Sequence, residues 1–300
     1  MAGLGRLLTA MVTPFDGAGN VDYPQAKKLA VALLSSGSDG VVVSGSTGEA
    51  PALSRDEKLR LFGEVKEAVG ERGTVVAGTG TYNLRESVEL TREAEKLGVD
   101  AILIVSPCYS KPTQDGLFEH LKTIAGATSL PCIPYNIPSR TAVNIAPQTA
   151  IRLSEIDNVV GIKESSADLE QISRIIDGVK PDFRVYSGND SDTLPILSLG
   201  GYGAISVISH LVGLQVKEMM EDFLSGKQKE AATIHRHLLS LNSAMFVVSN
   251  PIPTKYALNY LGFRVGKPRL PLTEPDEKSA SFIEATLRGH RIDLPLEVKV

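Results

Sequence analysis

A lysine stands inside an apolar run, Val159-Val160-Gly161-Ile162-Lys163-Glu164. Such a run reads as a buried strand, and a buried lysine must either meet a carboxylate or give up its proton. A free lysine amine has a pKa of about 10.4, so fewer than roughly one in a thousand is nucleophilic at pH 7. Burial can bring that value down by ~3, at about 4 kcal/mol of stability, and leaves an amine able to attack a carbonyl and form a Schiff base. Alone, Lys163 would read as an edge-strand charge or half of a structural ion pair. Its company changes the reading. Tyr135 lies near the end of the apolar run Pro131 to Ile137, with Arg140 in the loop beyond it. Ser46 and Thr47 follow the run Gly40 to Ser44 in Gly45-Ser46-Thr47-Gly48-Glu49. An amine, a phenol, two hydroxyls and a guanidinium thus gather at the C-terminal ends of expected strands.

The elements that must position them alternate. Strand-like runs are Leu7 to Pro14, Gly40 to Ser46, Thr74 to Thr79, Ala101 to Pro107, Pro131 to Ile137, Val159 to Ser165, Phe183 to Ser187 and Ala204 to Ile208. Segments of helical period separate them, and the repeat is that of βα units in a parallel (β/α)8 barrel, the TIM-barrel form of the α/β class. Asp22 opens one helix that Gly37 ends; Ser54-x-x-Glu57 is a capping box, and Asn83-x-x-Glu86 has similar spacing. After about residue 224 the alternation stops. Lys227 to Met245, Thr254 to Leu261 and Asp276 to Leu287 read as helices, so residues 1–224 are expected to form the barrel and 225–300 a small helical domain. Catalytic groups of such barrels project from the C-terminal strand ends, where the named residues fall. Alternation puts Gly161, Lys163 and Ser165 on one face, with Gly161 leaving room beside the lysine stem, and turns Ile162 and Glu164 to the helix layer or solvent. Glu164 therefore reads as structural.

Composition closes off other functions. The chain has 300 residues, 42% hydrophobic, with a formal net charge of −4 and no basic cluster that would track a phosphate backbone, so nucleic acid is not an expected partner. No leader-like segment or apolar stretch approaching ~18 residues marks it for secretion or a membrane. Two cysteines, Cys108 and Cys132, make no disulfide framework or C-x-x-C motif, and a cytoplasmic setting fits. Cys108 is expected to pack. Gly78-Thr79-Gly80 lacks the third glycine of a dinucleotide fingerprint, and neither a Walker A sequence nor a Gly-x-Ser-x-Gly elbow occurs. His235 and His237 point to different helix faces, and Asp190 and Asp192 read as caps or turn formers, so no metal is expected.

In order and at matching strand ends, Gly45-Ser46-Thr47-Gly48-Glu49, Tyr135-Asn136-Ile137-Pro138-Ser139-Arg140-Thr141, Gly161-Ile162-Lys163-Glu164, Ser187-Gly188-Asn189-Asp190 and Ala204-Ile205-Ser206-Val207 resemble the dihydrodipicolinate synthase and N-acetylneuraminate lyase superfamily of pyruvate-dependent class I aldolases and lyases. The dihydrodipicolinate synthase branch is the one resembled most. Ser46 stands where that branch usually has threonine, and the hydroxyl survives. The resemblance implies that Lys163 forms an imine with pyruvate and that no other cofactor is used. It makes Tyr135 the proton-transfer residue, completed by Thr47 and Tyr109 as a hydroxyl relay, and gives substrate binding to Ser46, Thr47 and Ile205. Arg140 would take the carboxylate of aspartate 4-semialdehyde bidentately. The implied reaction joins pyruvate to that aldehyde and closes the ring to 4-hydroxy-tetrahydrodipicolinate, toward diaminopimelate and lysine. Tyr109 would reach into a neighbouring subunit, implying a homotetramer built as a dimer of dimers. Positions that hold the end product in lysine-inhibited members read Ala50, Pro51, Arg55, Lys58, Tyr82, Glu86 and Cys108, so weak or absent inhibition is expected. Rival readings keep the imine but change the acceptor, as in aldolases of 2-keto-3-deoxy sugar acids, 4-hydroxy-2-oxoglutarate or N-acetylneuraminate; Arg140 speaks against them. A non-catalytic ligand-binding barrel should lack Lys163 or Tyr135, and both are present.

Overall fold

Strands rich in β-branched residues and buried on both faces are what a parallel sheet wrapped in helices requires. The computed structural model describes residues 3–296 and has that form. Through its first half run β1 (Leu7–Ala10), α1 (Tyr23–Ser35), β2 (Gly40–Val43), α2 (Arg55–Val69), β3 (Thr74–Gly78), α3 (Leu84–Lys96), β4 (Ala101–Val105), α4 (Gln114–Ala125) and β5 (Cys132–Asn136). There follow α5 (Pro138–Thr141), α6 (Pro147–Ser154), β6 (Gly161–Glu164), α7 (Leu169–Gly178), β7 (Arg184–Ser187), α8 (Thr193–Ser198), β8 (Gly203–Ser206) and α9 (Ser209–Leu224). Beyond the barrel lie α10 (Gln228–Met245), α11 (Ile252–Tyr260) and α12 (Glu277–Arg288). The eight strands pair in sequence order, all parallel, and β8 closes on β1.

Alternation sorts the side chains into two apolar clusters. Leu8, Val42, Val76, Leu103, Ile133 and Ile205 fill the barrel interior. Their neighbours Leu7, Val41, Val75, Ile102 and Cys132 face outward into the layer under the helices, which runs on without a break to Leu241, Leu258 and Ile283 of α10, α11 and α12. Tyr186 fills the interior nearer its N-terminal end and donates from its hydroxyl to the Gly5 carbonyl at 2.9 Å.

The strands are shorter than the apolar runs that signal them. The run from Leu7 continues to Pro14, but pairing stops at Ala10, and that from Ala204 stops at Ser206. Past those points the backbone turns out of the ladder to form the loops at the barrel mouth. The expected caps hold: Ser54 and Glu57 exchange both bonds of the capping box. Asn83 caps α3 with its side chain on the Glu86 N–H at 3.2 Å.

Candidate active site

Tyr135 and Lys163 are register partners on adjacent strands, β5 and β6, so their side chains leave the sheet side by side into the mouth. Lys163 is 5% exposed, and its Nζ lies 4.2 Å from the centre of the Tyr135 ring. The ring face, negative by its quadrupole, is a favourable seat for a cation. The room beside the lysine stem comes from Gly188, not Gly161. A side-chain carbon at Gly188 would fall 2.9 Å from Lys163 Cε and 3.1 Å from its Cγ, whereas one at Gly161 would meet the Arg184 backbone.

Glu164 points the other way, into the helix layer and fully buried, so solvent is excluded as its destination. Asn136, its register partner, donates Nδ2 to both carboxyl oxygens at 3.0 and 3.1 Å, and the Ser166 N–H adds a bond at 2.7 Å. Burial pushes this carboxyl above the usual range against those donors. The residues that follow Tyr135 and Lys163 in sequence thus tie the two strand ends together from behind.

Thr47, also buried, accepts a bond from Asn250 Nδ2 at 2.8 Å, and Arg140, though exposed, donates from one terminal nitrogen to the Asn250 carbonyl at 2.8 Å. One residue from the connection between α10 and α11 therefore joins the β2 and β5 loops. Ser46 is half-buried, and its carbonyl accepts the Glu49 N–H at 3.1 Å. Glu49 itself has φ 57, a left-handed conformation that a non-glycine keeps only where its surroundings over-determine it. They do: its carboxylate takes Lys255 Nζ at 2.7 Å and the Arg269 N–H at 2.8 Å, in an ion pair whose side chains are each 1% exposed. Burial pushes the Lys255 amine down to about 8, opposed by the charge of Glu49.

Ile205 is fully buried in the barrel interior, in the same apolar cluster as Tyr135. The turn after it is held by Asp190, whose buried carboxyl accepts the Ser206 hydroxyl and the N–H groups of Val207 and Ile208, the latter two at 2.9 and 3.1 Å. Asp190 is thus more than a turn former. Burial pushes it up, opposed by these bonds and by the charge of Lys163. His210 continues the belt: Nδ1 donates to the Val207 carbonyl at 2.8 Å while Nε2 accepts the Val12 N–H at 3.1 Å, which joins β8 to β1. Thr13 then donates to the Gly48 carbonyl at 2.7 Å.

Tyr109 does not join this cluster within one chain. It is 95% exposed at φ 72. Cys108 beside it is exposed too, which corrects the expectation that it packs; the loop after β4 leaves the sheet before reaching it. Ala50 and Pro51 lie in a short 3-10 turn, Arg55 opens α2, Tyr82 is exposed, and Glu86 sits in the first turn of α3. Lys58 is buried, which pushes its amine down, and the Glu86 charge opposes this. Among the described residues no group of three or more His, Cys, Asp and Glu side chains could hold a metal ion, and no helix is long and apolar enough to cross a membrane.

Asn250, Lys255, Asp190 and His210 escaped the sequence reading in these roles. The Asn250-Pro251-Ile252-Pro253 stretch signals a helix boundary, and nothing local says that its asparagine reaches a threonine some 200 positions away.

A family model described as the dihydrodipicolinate synthetase family matches residues 3–289. A 4-hydroxy-tetrahydrodipicolinate synthase of Dehalococcoides mccartyi (strain CBDB1) is 61% identical over 297 residues, 99% of this chain and 100% of its own length. Among solved structures, a dihydrodipicolinate synthase of Bacillus anthracis superposes with a TM-score of 0.94 at 41% identity, covering 96% of this chain and 99% of its own. A synthase of Cyanidioschyzon merolae solved with lysine bound also gives 0.94, at 44% identity, covering 95% and 98%.

Proposed function

The chain belongs to the dihydrodipicolinate synthetase family, and from that premise we propose that it condenses pyruvate with aspartate 4-semialdehyde through an imine on Lys163. The product is 4-hydroxy-tetrahydrodipicolinate, and the enzyme is a lyase of lysine and diaminopimelate biosynthesis. The observation that carries the mechanism is the buried Lys163 amine against the face of Tyr135. The neutral amine attacks the pyruvate ketone, and the carbinolamine loses water to give an iminium ion. That cation is the electron sink, so a methyl proton can leave and the resulting enamine can attack the aldehyde carbon. The amino group of the acceptor then displaces Lys163 from the former ketone carbon and closes the ring.

Tyr135 is suited to pass the protons, because a phenol hydroxyl can both donate and accept. Thr47 and Ser46 hold the pyruvate carboxylate at the end of β2, with Ile205 lining the wall two strands away on β8. Arg140 spends one nitrogen on Asn250 and keeps donors for the carboxylate of the incoming aldehyde. No metal or organic cofactor enters this scheme. Tyr109 completes the relay in a neighbouring subunit of a homotetramer. Two unpaired cysteines suit a reducing cytoplasm.

Borohydride reduction in the presence of pyruvate tests the imine. It should add one reduced pyruvyl group to the peptide carrying Lys163, and labelling elsewhere in an active enzyme overturns the assignment. Arg140→Ala should trap pyruvate normally while losing about 2 to 4 kcal/mol in kcat/KM for the semialdehyde. An unchanged value would point to another acceptor.

A further inference from the structure

Ser165 follows Lys163 by two residues, one position beyond β6, and its N–H still bonds the Asn136 carbonyl of β5 at 2.9 Å, so strand alternation sends both side chains toward the mouth. Gly188 measures their closeness. A side-chain carbon there would lie 2.0 Å from Ser165 Oγ and 2.9 Å from Lys163 Cε, so the hydroxyl and Cε are separated by no more than the sum of those distances. Ser165 is 6% exposed, and its Oγ is buried without a hydrogen-bond partner among the described residues. Neighbouring hydroxyls are paired: Ser187 donates to the Asn189 carbonyl at 2.7 Å, and Ser206 to Asp190. A buried hydroxyl with no partner is destabilising, so a purely structural role leaves it unexplained.

We propose that Ser165 is a further catalytic residue, whose Oγ accepts a hydrogen bond from Nζ of Lys163 when the iminium forms. The inference rests on the imine reading of Lys163. Attack of the amine on the ketone, with one N–H proton passing to the oxygen, gives a carbinolamine whose nitrogen keeps one hydrogen. Protonation of its hydroxyl and departure of water form the C=N bond, and the nitrogen, now cationic, still carries that hydrogen. The proton consumed comes from the Tyr135 relay. An N–H of a buried cation needs an acceptor, and the Tyr135 ring offers only its face. Ser165 Oγ has free lone pairs two residues away on the same strand face.

The test is the pyruvate dependence of borohydride trapping at Lys163, read by mass spectrometry on the whole chain. Ser165→Ala removes one oxygen and should raise the half-saturating pyruvate about tenfold while the melting temperature is held or improved. Ser165→Thr, which keeps the oxygen, should trap at lower pyruvate than the alanine variant. Ser165→Cys, with a weaker acceptor, should resemble alanine and carries the test if the alanine variant misfolds. Trapping by S165A or S165C at wild-type pyruvate concentrations overturns the role of Ser165. Failure of the wild-type chain to label at Lys163 overturns the imine reading instead, so the two failures are distinct.

Discussion

Lys58 carries the sharpest question at the scale of single residues. It is buried within reach of the charge of Glu86, and Arg55 stands one turn earlier on α2. Lysine binding at this surface would bring a second ammonium toward Glu86. At an effective dielectric of ~20, a like charge at ~5 Å opposes that ammonium by roughly 3 kcal/mol before screening. Cys108, where a tyrosine would add a phenol and a ring, contributes neither. Initial rates at fixed pyruvate and semialdehyde, titrated with lysine, are therefore expected to stay flat through the submillimolar range. Half-inhibition near ~0.1 mM, about 5.5 kcal/mol of binding, would mean that Arg55 or Lys58 holds the lysine carboxylate instead. The contrast with Lys163 shows what residues disclose by themselves. Lys163 was legible because its apolar flanks and Tyr135 lie in short motifs, whereas the space that admits its stem comes from Gly188, a contact between strands that no local pattern encodes.

Between elements, the mouth is held by polar links that cross strand ends, and one of them titrates. His210 is fully buried between β8 and β1, and burial pushes it down from the usual 6.5 to about 4. The unfolded chain therefore binds a proton more tightly than the folded one, so stability from this group is complete above pH 6.5 and is lost as pH falls from there to about 4. The loss is about 3 kcal/mol. Denaturant unfolding across that window should show it, and His210→Gln, which keeps a donor and an acceptor, should flatten the curve by that amount. Equal pH slopes for the two proteins would remove His210 from the account. Strand cores were readable for the same reason that this link was not: Val41 to Val43 declare a β2 buried on both faces, but a histidine that caps one loop and accepts from another is specified only when the barrel closes. The ends of β1 and β8 were overextended because apolar character continues into the loops, while ladder pairing ends at Ala10 and Ser206.

Over the whole molecule, a parallel sheet covered by helices was foreseeable because eight apolar runs alternate with capped helices, and a count of eight units is that of the closed barrel observed. The reach of the C-terminal segment over the mouth was not, since Asn250 and Lys255 bond Thr47 and Glu49 from 203 and 206 positions away in sequence. Tyr109 poses the remaining question at this scale. Tyr109 and Lys111 both hold positive φ, a conformation costing non-glycine residues on the order of 1 kcal/mol or more, and Tyr109 is almost wholly exposed. Within one chain that strain supports nothing. Tyr82, 68% exposed, adds a second large aromatic that one chain leaves uncovered. A second copy that covers these rings would give the strained loop its function, by carrying a phenol into the neighbouring mouth. Sedimentation at assay concentrations should then find an oligomer, and activity per chain should fall on dilution through its dissociation range. Tyr109→Phe should preserve association while lowering kcat, since it deletes the hydroxyl and keeps the ring. A monomer with full activity, or an unimpaired Tyr109→Phe oligomer, would remove Tyr109 from the relay and leave Tyr135 and Thr47 to move the protons within a single chain.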